Sequence, residues 1–234
     1  MRLQNKIATG CDSIDKLLEG GISRGSISLV YGEPETGKTT LAMQCAVNCT
    51  RQGLKALFAD CDATFHPRRL AQIAGEELEK ASELIVLMKP TRFREQTAII
   101  DRLVEYTSKN FGLVVFDTIT SLYRLETAEA PAKTFDLNRE LNRQIAVLAQ
   151  TAKTQQIAVL LTSQVRTAFV QATASIEPVA TRVLKFWAET IINMKPTEKP
   201  GIVHAILEKS LRKIPPQTYY LRIRENGIFS CSNL

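Results

Sequence analysis

Ser26-Ile-Ser-Leu-Val-Tyr-Gly-Glu-Pro-Glu-Thr-Gly-Lys-Thr-Thr40 is the stretch that decides the fold. Ser26–Tyr31 is a short apolar run that reads as a buried strand, and Lys38–Gln52 reads as a helix. Between them, Gly32–Thr39 matches GxxxxGK[ST] in full, in the strand–loop–helix context that the pattern needs. Glycines let successive backbone N–H groups turn inward on an anion, and the helix N-terminus adds its positive dipole end. Lys38 brings a mobile point charge for the β- and γ-phosphates, and Thr39 brings a hydroxyl for Mg²⁺. Gly32, Glu33, Pro34, Glu35, Thr36, Gly37, Lys38 and Thr39 are therefore the expected cradle for a nucleoside triphosphate, ATP with Mg²⁺.

Outward from this loop, apolar runs recur at Leu54–Asp60, Leu84–Met88, Leu113–Phe116 and Ile157–Thr162. Segments of helical period separate them, notably Arg94–Lys109 and Asp136–Thr154. Strands alternating with helices of this length predict an α/β fold, a mostly parallel twisted sheet with helices on both faces. Thr190–Phe229 instead reads as strands in succession, with a turn at Asn226-Gly227, so an antiparallel extension is expected. Two stretches, Glu126–Thr134 and Thr167–Pro178, lack periodicity and read as loops after strand ends. In an open parallel sheet that edge is where ligands bind.

With 234 residues, 44% apolar and 23% charged, the chain has ordinary globular composition and length for one core domain spanning 1–234. No run of about eighteen apolar residues occurs, and the N-terminus lacks the apolar stretch of a secretory signal, so a cytoplasmic setting is expected. Five cysteines form no CxxC pair, and neither histidine has a cysteine neighbour at metal-site spacing, which speaks against a thiolate–metal centre. The net charge of +6, from 30 Lys+Arg against 24 Asp+Glu, modestly favours a polyanionic partner.

Leu113-Val-Val-Phe-Asp117 fits an apolar strand that delivers a carboxylate toward the metal, making Asp117 a metal-site candidate beside Thr39. Hydrolysis also needs a group that orients or deprotonates water. Asp60 and Asp62, after the second strand, and Gln164, after the fifth, are the candidates. Capping of strand ends is the alternative role for all three.

These motifs, in this order, resemble the core ATPase domain of the RecA/RadA recombinases, most closely their short archaeal branch. The resemblance begins at Ile7-Ala-Thr-Gly-Cys-Asp-Ser-Ile-Asp-Lys-Leu-Leu-Glu-Gly-Gly21 and runs through the phosphate loop. It continues in Asp60-Cys-Asp-Ala-Thr-Phe-His-Pro-Arg-Arg-Leu70, Asp117-Thr-Ile-Thr-Ser-Leu-Tyr-Arg-Leu-Glu126 and Leu160-Leu-Thr-Ser-Gln-Val165. It implies a RecA-like P-loop NTPase core. Thr40 would join the phosphate contacts, Arg69 would lie on the adenine face, Asp117 would sit behind the metal's ligands, and Gln164 would sense the γ-phosphate. It also implies a role in DNA repair and recombination, with DNA, single-stranded or branched, as partner and a RadA-type recombinase or junction resolvase as protein partner; an oligomer is compatible with it. The segments Arg124–Asp136 and Arg166–Thr181 would line the DNA path, with Arg124, Lys133, Arg139, Arg166 and Phe169 as candidate contacts. The family's N-terminal helical domain and Phe-x-x-Ala linker find no counterpart ahead of Ile7, and Phe169-Val-Gln-Ala172 reads as coincidence. An accessory protein without strand exchange of its own is thus implied. The alternative is a KaiC-like regulatory ATPase acting through protein partners rather than DNA.

One departure bears on rate. Where the recombinases carry a catalytic Glu, this chain has Asp62. Withdrawing a carboxylate by about 1 Å can cost on the order of 10²-fold in rate, so Asp62, Gln164 and Lys38 are expected to form a slow catalytic set. Steady-state phosphate release should be weak, and Asp62→Glu should raise it; a turnover already matching that of a DNA-stimulated RadA-type enzyme would contradict this reading.

Overall fold

The computed structural model describes residues 5–107, 110–170, 173–178, 180–211 and 217–231. It starts with β1 (Lys6–Ile7), α1 (Asp12–Leu17) and β2 (Ile22–Ser23), with β1 and β2 paired antiparallel. Asp15 explains the opening motif. One of its carboxylate oxygens accepts the Thr9 N–H at 2.7 Å and the Thr9 hydroxyl at 2.8 Å, and the other accepts the Gly10 N–H at 3.0 Å. Three donors on one carboxylate close the loop ahead of α1.

Next come β3 (Ile27–Gly32), α2 (Lys38–Arg51), β4 (Lys55–Asp60), α3 (Pro67–Ala74), α4 (Leu78–Leu84) and β5 (Ile85–Met88). They are followed by α5 (Phe93–Asp101), α6 (Leu103–Tyr106), β6 (Phe111–Asp117), α7 (Ser121–Glu129), α8 (Thr134–Gln155) and β7 (Ala158–Ser163). The antiparallel pair β8 (Val165–Val170) and β9 (Thr173–Pro178) leads to α9 (Thr181–Trp187). Four strands close the chain: β10 (Thr190–Pro196), β11 (Ile202–Lys209), β12 (Gln217–Arg224) and β13 (Gly227–Ser230).

Nine strands among the described residues share one sheet, in the order β13-β12-β11-β10-β3-β7-β6-β4-β5. From β10 to β5 every neighbour is parallel, and β11, β12 and β13 continue the sheet antiparallel. The mostly parallel α/β architecture with an antiparallel extension is as expected. Successive side chains of the central strands go to opposite faces. Val30, Phe58, Val115 and Leu160 pack in one core with α2 and α3, while Leu29, Tyr31, Leu57, Phe116 and Leu161 pack in the other with α5, α7 and α8. Both faces being covered is why these strands read as unbroken apolar runs. Burying one such side chain contributes about 1.5–3 kcal/mol.

Four local expectations change. Glu126–Thr134 is largely helical: α7 extends to Glu129, and a short 3₁₀ turn follows at Pro131–Lys133. Only Leu122 and Tyr123 anchor α7 by burial, too few to give a readable period. Tyr123 packs edge-on against Phe93, and its hydroxyl donates to Asn138 of α8 at 2.8 Å. Thr167–Pro178 is mostly the β8–β9 hairpin, not an open loop. The register pairs Arg224 with Gly227, so Glu225 and Asn226 form the turn and Gly227 is already in β13. The Arg94–Lys109 helix is interrupted at Arg102, and Lys109 lies outside the described residues.

The described cysteines make no disulfide, and Cys11, Cys45, Cys49 and Cys61 are buried. Burial raises each of these thiols, Cys49 to about 12, so they pack as small apolar groups. No helix among the described residues is long and apolar enough to cross a membrane.

A polar knot ties α9 to the central strand. Glu208 accepts Tyr31 Oη at 2.6 Å and Asn193 Nδ2 and Lys185 Nζ each at 3.1 Å. Burial pushes the Glu208 carboxyl up, but the Tyr31 and Lys185 donors outweigh it and hold the group below its ordinary value. A carboxylate depressed in the fold stabilises above its unfolded pKa, and that stabilisation is lost as pH falls through the folded one. Glu208→Gln should therefore lower the unfolding midpoint at pH 7, and the gap to the parent chain should close below about pH 4; denaturant melts across pH check this.

Candidate functional site

The strand ends of β3, β7, β6 and β4, neighbours in the sheet, bring together the residues singled out from the sequence. The loop after β3 begins under tight constraint. A Cβ on Gly32 would meet the Met194 carbonyl oxygen of β10 at 2.0 Å, so only glycine lets the chain leave the sheet there. Gly37 has φ +87°, and a Cβ on it would meet Ile228 at 2.8 Å. It turns the chain into α2, whose first residue is Lys38.

Lys38 is buried and curls over its own loop, donating to the Glu33 carbonyl at 2.6 Å and the Thr36 hydroxyl at 3.4 Å. Burial lowers its amine pKa, opposed by the nearby charges of Asp117, Asp62 and Glu33. Its present partners are a neutral carbonyl and a hydroxyl, so the ammonium is available for a stronger, anionic acceptor. Glu35, Gly37, Lys38, Thr39, Thr40 and Ile223 line a cavity of about 240 Å³ over this helix end.

Asp117 ends β6 fully buried. It accepts the Thr162 hydroxyl of β7 at 2.5 Å and the Thr64 hydroxyl at 3.4 Å, and it also bonds Thr39. Burial raises its pKa, the Thr162 and Thr39 donors lower it, and Asp62 and Asp60 raise it further. A desolvated carboxylate among hydroxyls, one of which is Thr39, suits a cation arriving with a phosphate. Glycines where side chains cannot fit, a buried ammonium and the Thr39–Asp117 pair together fit Mg²⁺-ATP.

Asp60 and Asp62 separate sharply. Asp60 accepts the backbone N–H groups of Thr64 at 2.9 Å and Phe65 at 3.2 Å; it caps the turn after β4, the alternative role named for it above. Asp62 Oδ2 accepts Gln164 Nε2 at 3.1 Å and the Thr118 hydroxyl at 3.3 Å. Gln164 in turn accepts a guanidinium N–H of Arg124. Arg124, read from the sequence as a DNA contact, is thus joined to the carboxylate and amide at the strand ends.

The other expected residues disperse. Arg69 donates to the Glu225 carbonyl at 2.8 Å and to Thr40 at 3.3 Å, bridging the helix after the phosphate loop to the β12–β13 turn. Lys133 is exposed in the 3₁₀ turn. Arg139 is exposed beside Asp136 at 3.6 Å. Arg143, on the same helix, is held by Asp101 and Glu140, each at 2.8 Å. Arg166 and Phe169 lie on β8, but their side chains fall outside the description, as do Ala172, Arg212 and Lys213 altogether. Arg222 and Arg224 share the exposed face of β12, as alternation requires.

Sequence reasoning missed Gln44. From α2 its amide donates to the Ile228 carbonyl at 3.1 Å and accepts the Ile228 N–H at 2.7 Å, docking β13 on the phosphate-loop helix. A polar residue in the middle of a buried helix face was its one visible signal.

Strand order, phosphate loop and strand-end carboxylates define a RecA-like P-loop α/β core. A sequence profile of the Rad51 family matches residues 3–229. The DNA repair and recombination protein RadB of Thermococcus kodakarensis is 36% identical over 225 residues, covering 95% of this chain and 98% of that one. RadB of Methanosphaera stadtmanae is 31% identical over 218 residues, 92% of each. A solved structure, described as the crystal structure of the RadB recombinase, superimposes with TM-score 0.82 at 35% identity, covering 97% of this chain and all of that one. The chain belongs to the Rad51 family and is RadB-like within it.

Gln44→Ala would leave the buried Ile228 N–H and C=O without their side-chain partners, at about 1–3 kcal/mol for each unsatisfied group. A stability loss on the order of 2–4 kcal/mol is expected in denaturant unfolding, together with weaker nucleotide binding as β13 loosens from α2.

Proposed function

We propose that this chain is an accessory protein of DNA repair and homologous recombination, a single RecA-like core that binds Mg²⁺-ATP and DNA and hydrolyses ATP slowly. The full-length match to RadB proteins carries the recombination role. The Asp62–Gln164 contact carries the view that nucleotide acts chiefly as a switch.

In this reading the loop N–H groups, Lys38 and Thr40 hold the phosphates, and Arg69 borders the adenine side. Thr39, with Asp117 behind it, would hold a Mg²⁺ ion, which when bound would neutralise charge on the phosphate oxygens. Lys38 exchanges the Glu33 carbonyl for a phosphate oxygen. Asp62 holds the attacking water by accepting its hydrogen bond, and does so poorly for two reasons. Its side chain is one methylene short, and its Oδ2 already accepts Gln164 and Thr118. Arg124 keeps Gln164 turned toward Asp62, so an anion that draws Arg124 away also frees Gln164 to meet the γ-phosphate. DNA binding and nucleotide state are thereby coupled. Exposed Lys133 and Arg139, with Arg166 and Phe169 on β8, supply further DNA contacts. A RadA-type recombinase or a junction resolvase is the expected protein partner, in the cytoplasm.

Two measurements test this. Lys38→Ala should weaken ATP binding by roughly 10–100-fold, the loss of one charge-assisted contact. Labelled single-stranded DNA should bind with a log–log salt slope of roughly −2 to −3, as three or four neutralised phosphates require. Absence of binding at low salt, with and without ATP, would remove DNA from the proposal and favour a KaiC-like protein switch.

A further inference from the structure

Apart from the phosphate site, α8 and α9 enclose an open groove of about 550 Å³ lined by Phe135, Arg139, Arg182, Val183, Phe186 and Trp187, with two asparagines. Its aromatic side chains are not core residues: Phe135 is 77% exposed and Phe186 73%. Trp187 is fixed against α8. Its indole N–H donates to Asn142 at 2.9 Å, and Phe186 stands edge-on to it at 5.2 Å. Nothing in the fold requires two phenylalanines to face water at this place.

The charges of the groove are of one sign. Among the described residues lining it, Arg139 and Arg182 are the only ionised side chains. Arg139 has a loose ion pair with Asp136 at 3.6 Å, with both side chains mostly exposed. Such an exposed surface pair contributes little and gives way readily to a phosphate. Planar hydrophobic faces beside guanidinium groups form the combination that binds single strands without reading sequence: bases stack on the rings, and arginines take the backbone phosphates.

We propose that the Phe135–Phe186–Trp187 groove is a stacking site for single-stranded nucleic acid, in which Arg139 and Arg182 hold the backbone. This rests on the DNA-binding reading above and adds to its contacts a stacking site on α8 and α9. Arg139 keeps its expected role, with aromatic neighbours that the sequence did not reveal.

Trp187 is the chain's one tryptophan, so its emission reports on this groove alone. The full chain is titrated at low salt with a fluorescein-labelled oligothymidylate, reading anisotropy for binding and Trp187 emission for the site. Saturable quenching of Trp187 that tracks the anisotropy is expected. An abasic oligomer of equal length should bind at least about 10-fold more weakly, since each stacked base contributes roughly 1–3 kcal/mol. The double variant Phe135→Ala/Phe186→Ala should weaken binding by a similar factor. Arg139→Ala/Arg182→Ala should reduce the salt slope by about 1.4, two phosphates on a single strand. Phe135 and Phe186 project into solvent, and circular-dichroism melts verify that their double variant folds. Normal anisotropy with unchanged Trp187 emission and unchanged affinity in the phenylalanine variant would overturn the groove while leaving DNA binding intact. No anisotropy change with any oligomer would overturn both. Loss of recombinase capture by the phenylalanine variant, with DNA affinity unaltered, would make the groove a protein-docking surface instead.

Discussion

A carboxylate shut away from water organises this site. Asp117 ends the inner strand β6, and its hydroxyl partners come from β7, from the first turn of α2 and from the turn after β4. A buried carboxylate without donors would cost several kcal/mol. These elements must therefore converge on it, which sets the phosphate-loop helix, Thr162 at the end of β7 and the Asp60–Phe65 turn in register. Asp60 completes the frame by capping that turn through two backbone N–H groups. Asp62, two residues on, is left able to reach Gln164 and Thr118.

The sequence was most legible where local chemistry and long-range position coincide. Gly32–Thr40 and Leu113–Asp117 are readable because a phosphate cradle and a buried strand each impose their own residue pattern. The parallel sheet was legible for the same reason: strands covered on both faces admit few polar residues. What escaped was contact between distant segments. Asp62 and Gln164 are separated by 102 positions, and no spacing rule joins them. Nor does one link Arg124 to Gln164 or Gln44 to Ile228. The helicity of α7 was hidden because two buried residues make no period. Nothing in the sequence distinguishes Phe135 and Phe186 from core phenylalanines; only their exposure sets them apart.

The contacts among Arg124, Gln164, Asp62 and Thr118 give the site two outlets. One faces the phosphate cavity through Lys38, whose amine feels both Asp117 and Asp62. The other runs along α7 toward the 3₁₀ turn and α8. A ligand on either side can act on the other only by altering these few hydrogen bonds, because the strands beneath are packed on both faces and do not deform smoothly. Coupling in such an arrangement comes from exchange of partners rather than from bending of the sheet.

Gln44 recognises the backbone of Ile228, not its side chain. Evolutionary freedom at the two positions is therefore unequal. Residue 228 can drift among apolar side chains that still fill the space beside Gly37, because any of them presents the same amide and carbonyl. Residue 44 has no such latitude: glutamate offers no donor, lysine no acceptor, and asparagine is too short to reach both groups. Among RadB-like chains that keep this docking, position 44 should hold its identity while its partner varies.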